Sequence, residues 1–346
     1  MNGRALIVGG GIAGLAAARG LLDRGWAVEV RERLPAPPDI GGALSMWPHA
    51  LAALDLLGLG EAVRGSGNVP AAVRLADPAG RTLMRLDART PSACMVPRSR
   101  LLKILVDALP EGTVRWDTPV TADEAAGGAD GFDVVVGADG LNSAVRRGAF
   151  PNAPAVRALG TVAYRGSVPG HVTAFTETWG NGRIFGVTPM DGRTTNWYAS
   201  LRIGLDDSGT DAPALLRRLY GGWHAEVARV LEALPGTPVD RRTLYDLPAP
   251  ASYVHGCRVL IGDAAHAMAP NLGRGAGESL VDAAALARAL GESPTVSAGL
   301  DRYDRERRRP TGRIVHASRA ASRVSTATRF TGLRDAVVRT AGRLAG

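Results

Sequence analysis

Three glycines near the start of the chain have the spacing of a phosphate-binding turn. They follow the apolar run ALIV and open a helical run, and a second apolar run then ends at Glu32. Glycines so placed permit a tight turn and a close approach of backbone amides to a pyrophosphate at a helix N-terminus. A carboxylate in the place of Glu32 accepts hydrogen bonds from a ribose that has a free 2′-hydroxyl, which favours FAD or NAD over NADP. The alternative is a purely structural turn. The predicted dinucleotide contacts are Gly9, Gly11, Ile12, Ala13, Gly14, Glu32 and Arg33.

Two further glycine-rich segments follow apolar runs later in the chain. One is DVVVGADGLNSAVR, residues 133–146, and the other is GDAAHAMAPNLGRGAG, residues 262–277. Together with residues 9–32 they resemble the FAD motifs of class A flavoprotein monooxygenases, the para-hydroxybenzoate hydroxylase-like, salicylate- and urate-hydroxylase-like family. The resemblance covers residues 4–325 and includes Arg98.

The resemblance implies which residues would hold FAD. Arg98 would reach the pyrophosphate or ribityl region, and Asp263 would accept hydrogen bonds from the ribityl chain. Asp139 would help to hold FAD and, indirectly, the nicotinamide donor. Each has a structural alternative: a helix start for Arg98, a helix cap for Asp263, and an ion pair with Arg146 for Asp139. The flavin ring would be wrapped by Pro270, Gly273, Arg274, Gly275, Ala276 and Gly277.

The last of these segments departs from the family pattern. The family commonly has Gln in place of Arg274, Asn in place of Gly277 and an acid in place of Val281. A guanidinium pointing at the ring would raise the flavin potential, whereas a solvated Arg274 would leave it unchanged. His266 is expected to pack behind the motif rather than to act as an acid or base.

By the same resemblance, the chain would be an FAD-dependent monooxygenase. In such enzymes NADH or NADPH reduces the flavin and oxygen forms a C4a-hydroperoxide. An aromatic, heteroaromatic or polyketide-type molecule is then hydroxylated or epoxidised. The sequence has one dinucleotide motif, so the nicotinamide is expected to visit transiently. The alternatives are a non-redox enzyme that keeps FAD as a scaffold, or another flavin oxidoreductase of this fold. A hydrolase or metalloenzyme has no support, because the histidines lack metal-ligand spacing and no G-x-S-x-G motif occurs.

The substrate pocket is expected on β-rich segments between Thr161 and Leu205. Alternation along the last of them puts Asn196 and Tyr198 on one face and Trp197 on the other. Arg193 lies near where some relatives bind an anionic aromatic substrate, and its alternative is an outward ion pair. The pocket candidates are Tyr164, Arg165, Phe185, Arg193, Asn196 and Tyr198.

The elements that must position these residues are those of an α/β protein. Residues 5–32 predict a βαβ unit with parallel strands, and residues 133–136 and 258–261 are apolar runs typical of strands buried on both faces. Together with the resemblance, these elements imply a Rossmann-like FAD-binding domain (GR2-type, para-hydroxybenzoate hydroxylase fold) with an inserted antiparallel-sheet substrate domain and C-terminal helices. The predicted segments are 1–70, 95–155 and 250–326 for FAD, 71–94 and 156–249 for the substrate, and 327–346 for a helical tail.

Composition limits the remaining function classes. The 346 residues exceed what one hydrophobic core usually serves. The net charge of +8 could suggest nucleic acid, but the arginines are scattered among acids, and the run at 305–309 is typical of a solvated helix face. No apolar run has the length of a membrane span. We therefore expect a cytoplasmic monomer or homodimer with a small-molecule substrate and no nucleic-acid, membrane or metal partner.

Overall fold

Two large sheets, of six and seven strands, organise the chain. The computed structural model describes residues 3–38, 42–87, 93–127, 131–207 and 209–345. The six-stranded sheet has the order β14-β15-β8-β1-β2-β7, and its strands are parallel except for the edge strand β14. These strands are β1 (Arg4–Val8), β2 (Ala27–Arg31), β7 (Val114–Arg115), β8 (Val134–Gly137), β14 (Val254–His255) and β15 (Arg258–Leu260).

Helices cover both faces of this sheet, as expected for parallel strands that are buried on both sides. The longest, α11, runs for 30 residues and packs along α10. The helices of this part are α1 (Ile12–Leu22), α2 (Pro48–Leu56), α3 (Gly60–Arg64), α4 (Arg98–Asp107), α5 (Ala122–Ala126), α6 (Ala144–Ala149), α9 (Asp263–His266), α10 (Gly275–Glu292) and α11 (Val296–Ser325). A small antiparallel pair, β3 (Ala43–Met46) and β6 (Cys94–Pro97), stands beside them.

The seven-stranded sheet has the order β13-β9-β12-β11-β10-β4-β5. One face packs on two amphipathic helices, α7 (Ala212–Tyr220) and α8 (Ala225–Ala233), around a second core that includes Trp197. A C-terminal helix, α12 (Thr331–Ala345), packs against β5, where Gly342 meets Met84. The strands are β4 (Ala72–Ala76), β5 (Thr82–Asp87), β9 (Arg157–Pro169), β10 (Phe175–Trp179), β11 (Arg183–Pro189), β12 (Thr194–Arg202) and β13 (Asp240–Asp246).

The expected fold class is confirmed, with one correction. The second sheet is mixed rather than purely antiparallel, because β4 and β10 run parallel. These two strands come from separate segments of the chain, and the long connection between them permits a parallel pairing. The domain bounds stay a prediction.

Two further features bear on the predicted tail and on membranes. The tail is helical over most of its length, as its apolar spacing predicts. Among the described residues, no helix is long and apolar enough to cross a membrane.

Candidate active site

The carboxyl ends of β1, β2, β8 and β15 meet at one edge of the six-stranded sheet. Val8 is opposite Arg31 on one side and Gly137 on the other, and Leu260 is opposite Gly137. Parallel strands end at the same edge, which is where open α/β sheets bind their ligands. This edge brings together the three glycine-rich segments that the sequence singled out.

The first segment forms a tight turn between β1 and α1. Gly9 has φ +108°, and a Cβ there would lie 2.5 Å from the Ala138 carbonyl oxygen. A Cβ on Gly14 would clash with the Gly9 carbonyl oxygen, whereas a Cβ on Gly11 would meet no described atom within 4 Å. The first amides of α1, at Ile12 and Ala13, donate to no capping side chain among the described residues. Gly11 and the helix N-terminus therefore present free donors to open space, as a pyrophosphate site requires.

Glu32 fixes this turn from the end of β2. Its Oε2 accepts the Gly10 amide at 2.6 Å and its Oε1 accepts the Leu34 amide at 2.9 Å. Each carboxylate oxygen retains further acceptor capacity for a ribose hydroxyl. The neighbouring Arg33 is exposed.

The second segment is tied to the third by Arg146. Its Nη1 donates to the Ala264 carbonyl at 2.8 Å, and its Nη2 donates to the Leu141 carbonyl. Asp139 Oδ2 accepts the amides of Ala144 and Val145 at 2.6 and 3.2 Å, which caps the start of α6. Arg146 thus bonds backbone carbonyls rather than Asp139, so the alternative of a direct ion pair is wrong. Asp139 Oδ1 is buried without a partner among the described residues.

Asp263 and Arg98 lie close enough for their charges to interact. Asp263 begins α9 after Gly262, and its side chain is exposed. Arg98 begins α4, and its amide donates to the Gly42 carbonyl at 3.0 Å. Burial lowers the pKa of Arg98, and the Asp263 carboxylate opposes that shift. Its Nε is buried with no partner in the described part of the chain.

The third segment leads into the N-terminus of α10. Gly273 has φ +59°, and Gly275 to Gly277 begin the helix without a capping side chain among the described residues. Gly277 lies so close to His49 that a Cβ there would be 3.0 Å from its Nε2. Pro270 is exposed at the start of a short 3-10 turn, Pro270–Leu272. A second helix N-terminus with free amides therefore faces the site.

A buried charge network lies beneath α10. Asp282 accepts from His266 Nε2 at 2.6 Å, from Arg307 Nε at 2.7 Å and from the Gly262 amide at 2.8 Å. Glu278 accepts from Arg307 Nη2 at 2.6 Å and from Arg274 Nη2 at 2.6 Å. Burial opposes the ionisation of Asp282, but the charges of His266 and Arg307 outweigh it and lower the pKa of Asp282 to about 2. The network anchors the third segment to α11.

This network bears on two sequence-based expectations. Glu278, one turn later on α10, holds the guanidinium of Arg274, whose side chain is 35% exposed, and the orientation of Arg274 towards a flavin ring stays a prediction. Arg307 belongs to the run that we predicted to be a solvated face, yet it is 7% exposed and pairs with Asp282 and Glu278. His266 is fully buried against Asp282, in keeping with the packing role expected for it.

The residues at this sheet edge fit FAD. Free amides at two helix N-termini, the open position at Gly11 and the unpartnered Arg98 Nε suit the phosphates and the electron-rich edge of a flavin. The carboxylates of Glu32 and Asp263 and the free Asp139 Oδ1 suit sugar and ribityl hydroxyls.

The seven-stranded sheet turns one face to this site. Asn196 Oδ1 accepts the amide of Ala43, next to Gly42, at 3.0 Å, and its Nδ2 donates to Thr188 Oγ1 at 2.8 Å. Tyr198 is partly exposed on the same face, whereas Trp197 is buried in the second core. The predicted alternation of Asn196, Trp197 and Tyr198 is confirmed.

Three other pocket candidates are wrong. Tyr164 and Phe185 point to the opposite face, into the core under α7 and α8, because the register places both directly opposite Ala199. The Tyr164 hydroxyl donates to Asp206 Oδ1 at 2.5 Å. Arg193 lies exposed in the turn between β11 and β12, off the sheet face. Arg165 does lie on the face of Tyr198, where Asp240 pairs with its guanidinium at 2.8 Å.

Sequence reasoning missed one ionisable residue on the site-facing side. Glu177 accepts the Tyr198 hydroxyl at Oε2 and Trp179 Nε1 at Oε1, the latter at 2.6 Å. The alternation in FTETW, residues 175–179, does indicate that Phe175, Glu177 and Trp179 share one face. Its partner strand, and hence its contact with Tyr198, could not be read from the sequence.

Comparisons with known proteins agree with this geometry. A family described as "FAD binding domain" matches residues 3–318. Aurachin C monooxygenase/isomerase of Stigmatella aurantiaca is 32% identical, with 86% of this chain and 83% of the relative covered. Salicylate hydroxylase of Pseudomonas putida is also 32% identical, with 90% and 83% covered. The crystal structure of Klebsiella pneumoniae HpxO with FAD and uric acid has a TM-score of 0.87 at 23% identity, over 98% of this chain and 92% of that chain, which shows a shared fold.

Proposed function

This chain belongs to the FAD-binding family of flavoprotein monooxygenases, and we propose that it hydroxylates or epoxidises a small aromatic, heteroaromatic or polyketide-type molecule. It uses FAD, NAD(P)H and oxygen, as the family does. The observation that carries the proposal is the convergence of three glycine-rich segments at one sheet edge, opposite a polar sheet face. We further propose the domain bounds predicted from the sequence and a monomeric or homodimeric protein.

The chain would hold FAD along the sheet edge. Glu32 would accept the adenosine ribose, while Gly11 and the first amides of α1 would bind the pyrophosphate together with Arg98. Asp139 and Asp263 would bind the ribityl region, and the N-terminus of α10 would donate to the flavin ring. The bound flavin supplies the redox chemistry, because it takes a hydride from NAD(P)H and in its reduced form activates oxygen.

The polar face of the seven-stranded sheet would bind the organic substrate. Asn196 is fixed by Ala43 and Thr188, so its position relative to the cofactor segments is set before a substrate arrives. Tyr198 presents a partly exposed ring beside it. A pre-set face of this kind orients a substrate and keeps water from the reacting atoms.

Stopped-flow absorbance of the FAD-loaded protein tests the proposal. We expect NADH or NADPH to bleach the flavin, faster when a ring substrate is present, and ¹⁸O₂ to place one labelled oxygen atom in the product. Arg193→Leu is a control, because its exposed turn lies off the sheet face, and its rates should match those of the unaltered protein. FAD that binds but that neither nicotinamide reduces would contradict the proposal and favour a non-redox role.

A further inference from the structure

A carboxyl group lies on the site-facing side of the seven-stranded sheet. Glu177 on β10, Gly186 on β11 and Tyr198 on β12 are directly opposite one another in the register. Directly opposite residues of antiparallel strands point to the same face. Because Gly186 has no side chain, the Tyr198 ring lies over its backbone, where a Cβ would clash with the ring, and reaches Glu177 one strand further.

Only neutral groups contact this carboxyl group among the described residues. The Tyr198 hydroxyl donates to one oxygen and Trp179 Nε1 donates to the other. Arg334 on α12 is near, but its guanidinium stacks 5.4 Å from the centre of the Trp179 ring, and its Nε donates to Asp335 at 2.8 Å. Glu177 thus has hydrogen-bond partners but forms no ion pair in the part of the chain that the structure describes.

On the site-facing side of the sheet, Glu177 lies between the contact with the cofactor-binding part and the C-terminal helix α12. Towards β12, Asn196 on the same face bonds to Ala43 of the cofactor-binding part. Towards β5, Met84 lies beneath α12 and is in register with Leu75, which is in turn opposite Glu177. Glu177 remains partly exposed on the open stretch of the face between these contacts.

A carboxylate in this position favours some ligands and disfavours others. Partial withdrawal from water penalises its charge and raises the pKa of Glu177, although Tyr198 and Trp179 oppose the shift. An N–H donor of a ligand would stabilise the ionised form with a charge-assisted hydrogen bond. A ligand carboxylate would add a second negative charge next to Glu177, which contacts no cation among the described residues, while Arg165 on the same face is already paired with Asp240.

We propose that Glu177 determines substrate specificity: it binds an N–H donor of a neutral or cationic ring compound and disfavours substrates that carry a carboxylate. The proposal rests on the proposed function, because it takes this sheet face as the substrate site. Tyr198 and Trp179 are positioning residues, since they hold the carboxyl group and leave its remaining acceptor capacity to the ligand.

Three probes test the effects of an N–H donor and of a carboxylate on binding. 4(1H)-Quinolone has the N–H donor, its N-methyl derivative lacks it, and salicylate carries a carboxylate. Dissociation constants are measured from the change in flavin absorbance when each probe binds to the FAD-loaded protein. We expect the N–H quinolone to bind about tenfold more tightly than the N-methyl compound. Glu177→Gln should remove most of this preference and strengthen salicylate binding by about tenfold, because it removes the negative charge.

A second variant, Tyr198→Phe, should change the N–H preference and the affinity for salicylate in the opposite direction to Glu177→Gln. Tyr198→Phe removes one donor to the carboxylate, so the N–H preference should rise and salicylate should bind more weakly. Asp206→Asn is the matched control, because Asp206 is also bonded to a tyrosine, Tyr164, but on the opposite face. Its ligand preferences should equal those of the unaltered protein.

The outcomes separate this proposal from the proposed function. Equal binding of the two quinolones by the unaltered protein, or preferences unchanged in both Glu177→Gln and Tyr198→Phe, would overturn the role of Glu177. Loss of the N–H preference in Glu177→Gln supports the role even if no oxygenated product is found, a result that would count against the monooxygenase proposal alone.

Discussion

Asp282 is fully buried and ionised, and it receives three hydrogen bonds from separate parts of the chain. One donor is the Gly262 amide at the end of β15, and the others are His266 on α9 and Arg307 on α11. Burial of charge is costly unless partners satisfy it, so each of these groups depends on the others. At the residue scale, this cluster holds the third glycine-rich segment in place.

We expect Asp282→Asn to lower the free energy of unfolding by about 3–5 kcal/mol, because it leaves Arg307 buried with one carboxylate partner fewer. Denaturant unfolding followed by circular dichroism measures the change. Asp107→Asn is the control, since Asp107 pairs with Lys103 at 2.9 Å on an exposed surface, and little change is expected. Equal losses in the two variants would contradict the role assigned to the buried network.

The buried pair of Asp282 and His266 makes the free energy of unfolding depend on pH, and the sign of this dependence follows from two pKa shifts. The pKa of Asp282 is lowered to about 2, so its contribution is present above the ordinary carboxyl pKa of about 4 and lost as pH falls through 2. The pKa of His266 is raised, because Asp282 outweighs the effect of burial. Its contribution is present below about pH 6.5 and lost as pH rises through the raised pKa. In Asp282→Asn, the free energy of unfolding should therefore change less with pH than in the unaltered protein, both on the acidic side and as pH rises through the raised pKa of His266.

At the scale of elements, the β1-turn-α1 unit separates two roles of glycine. Gly14 has no room for a side chain, because a Cβ would clash with the Gly9 carbonyl oxygen. Gly11 has room in the protein alone and an ordinary φ of −82°. A methyl group at Gly11 would instead enter the space in front of the α1 amides, where we propose the pyrophosphate.

Gly11→Ala should therefore weaken FAD binding by at least about tenfold while changing the stability of the FAD-free protein by no more than about 1 kcal/mol. Gly14→Ala should lower both the affinity for FAD and the stability of the FAD-free protein, because the backbone must move to make room for the added methyl group. Flavin fluorescence titration gives the affinity and denaturant unfolding gives the stability. Undiminished FAD affinity in Gly11→Ala would place the pyrophosphate elsewhere.

The sequence predicts this unit well because its signals are local. Gly9, Gly11, Gly14 and Glu32 lie within one strand-turn-helix-strand unit, where spacing along the chain fixes spacing in space. Glu177 depends instead on the register of β10, β11 and β12, and Arg307 depends on which side of α11 faces α10. Such long-range pairings leave no periodic signal, so the sheet face and the buried network needed the structure.

At the scale of the whole molecule, α11 connects the two sheets. Near its start, the Tyr303 hydroxyl donates to the Leu260 carbonyl of β15 at 3.1 Å. Near its end, Arg319 Nε donates at 2.6 Å to Asp246 of β13, whose carboxylate also pairs with Arg157 of β9 at 3.2 Å. A helix of 30 residues spans about 45 Å, so it can carry fixed contacts to both sheets.

Asp246→Asn should therefore loosen the attachment of the seven-stranded sheet while leaving the six-stranded sheet intact. Asp246 is fully buried, and the substitution leaves the Arg319 guanidinium without its carboxylate partner. Hydrogen exchange measured by mass spectrometry should rise in β9, β13 and the last turns of α11, and stay unchanged in β1 and β8. Asp207→Asn, which breaks an exposed pair with Arg218, should leave every segment unchanged. A uniform rise across both sheets would instead mean that the chain opens as one cooperative unit and that α11 does not join two separable parts.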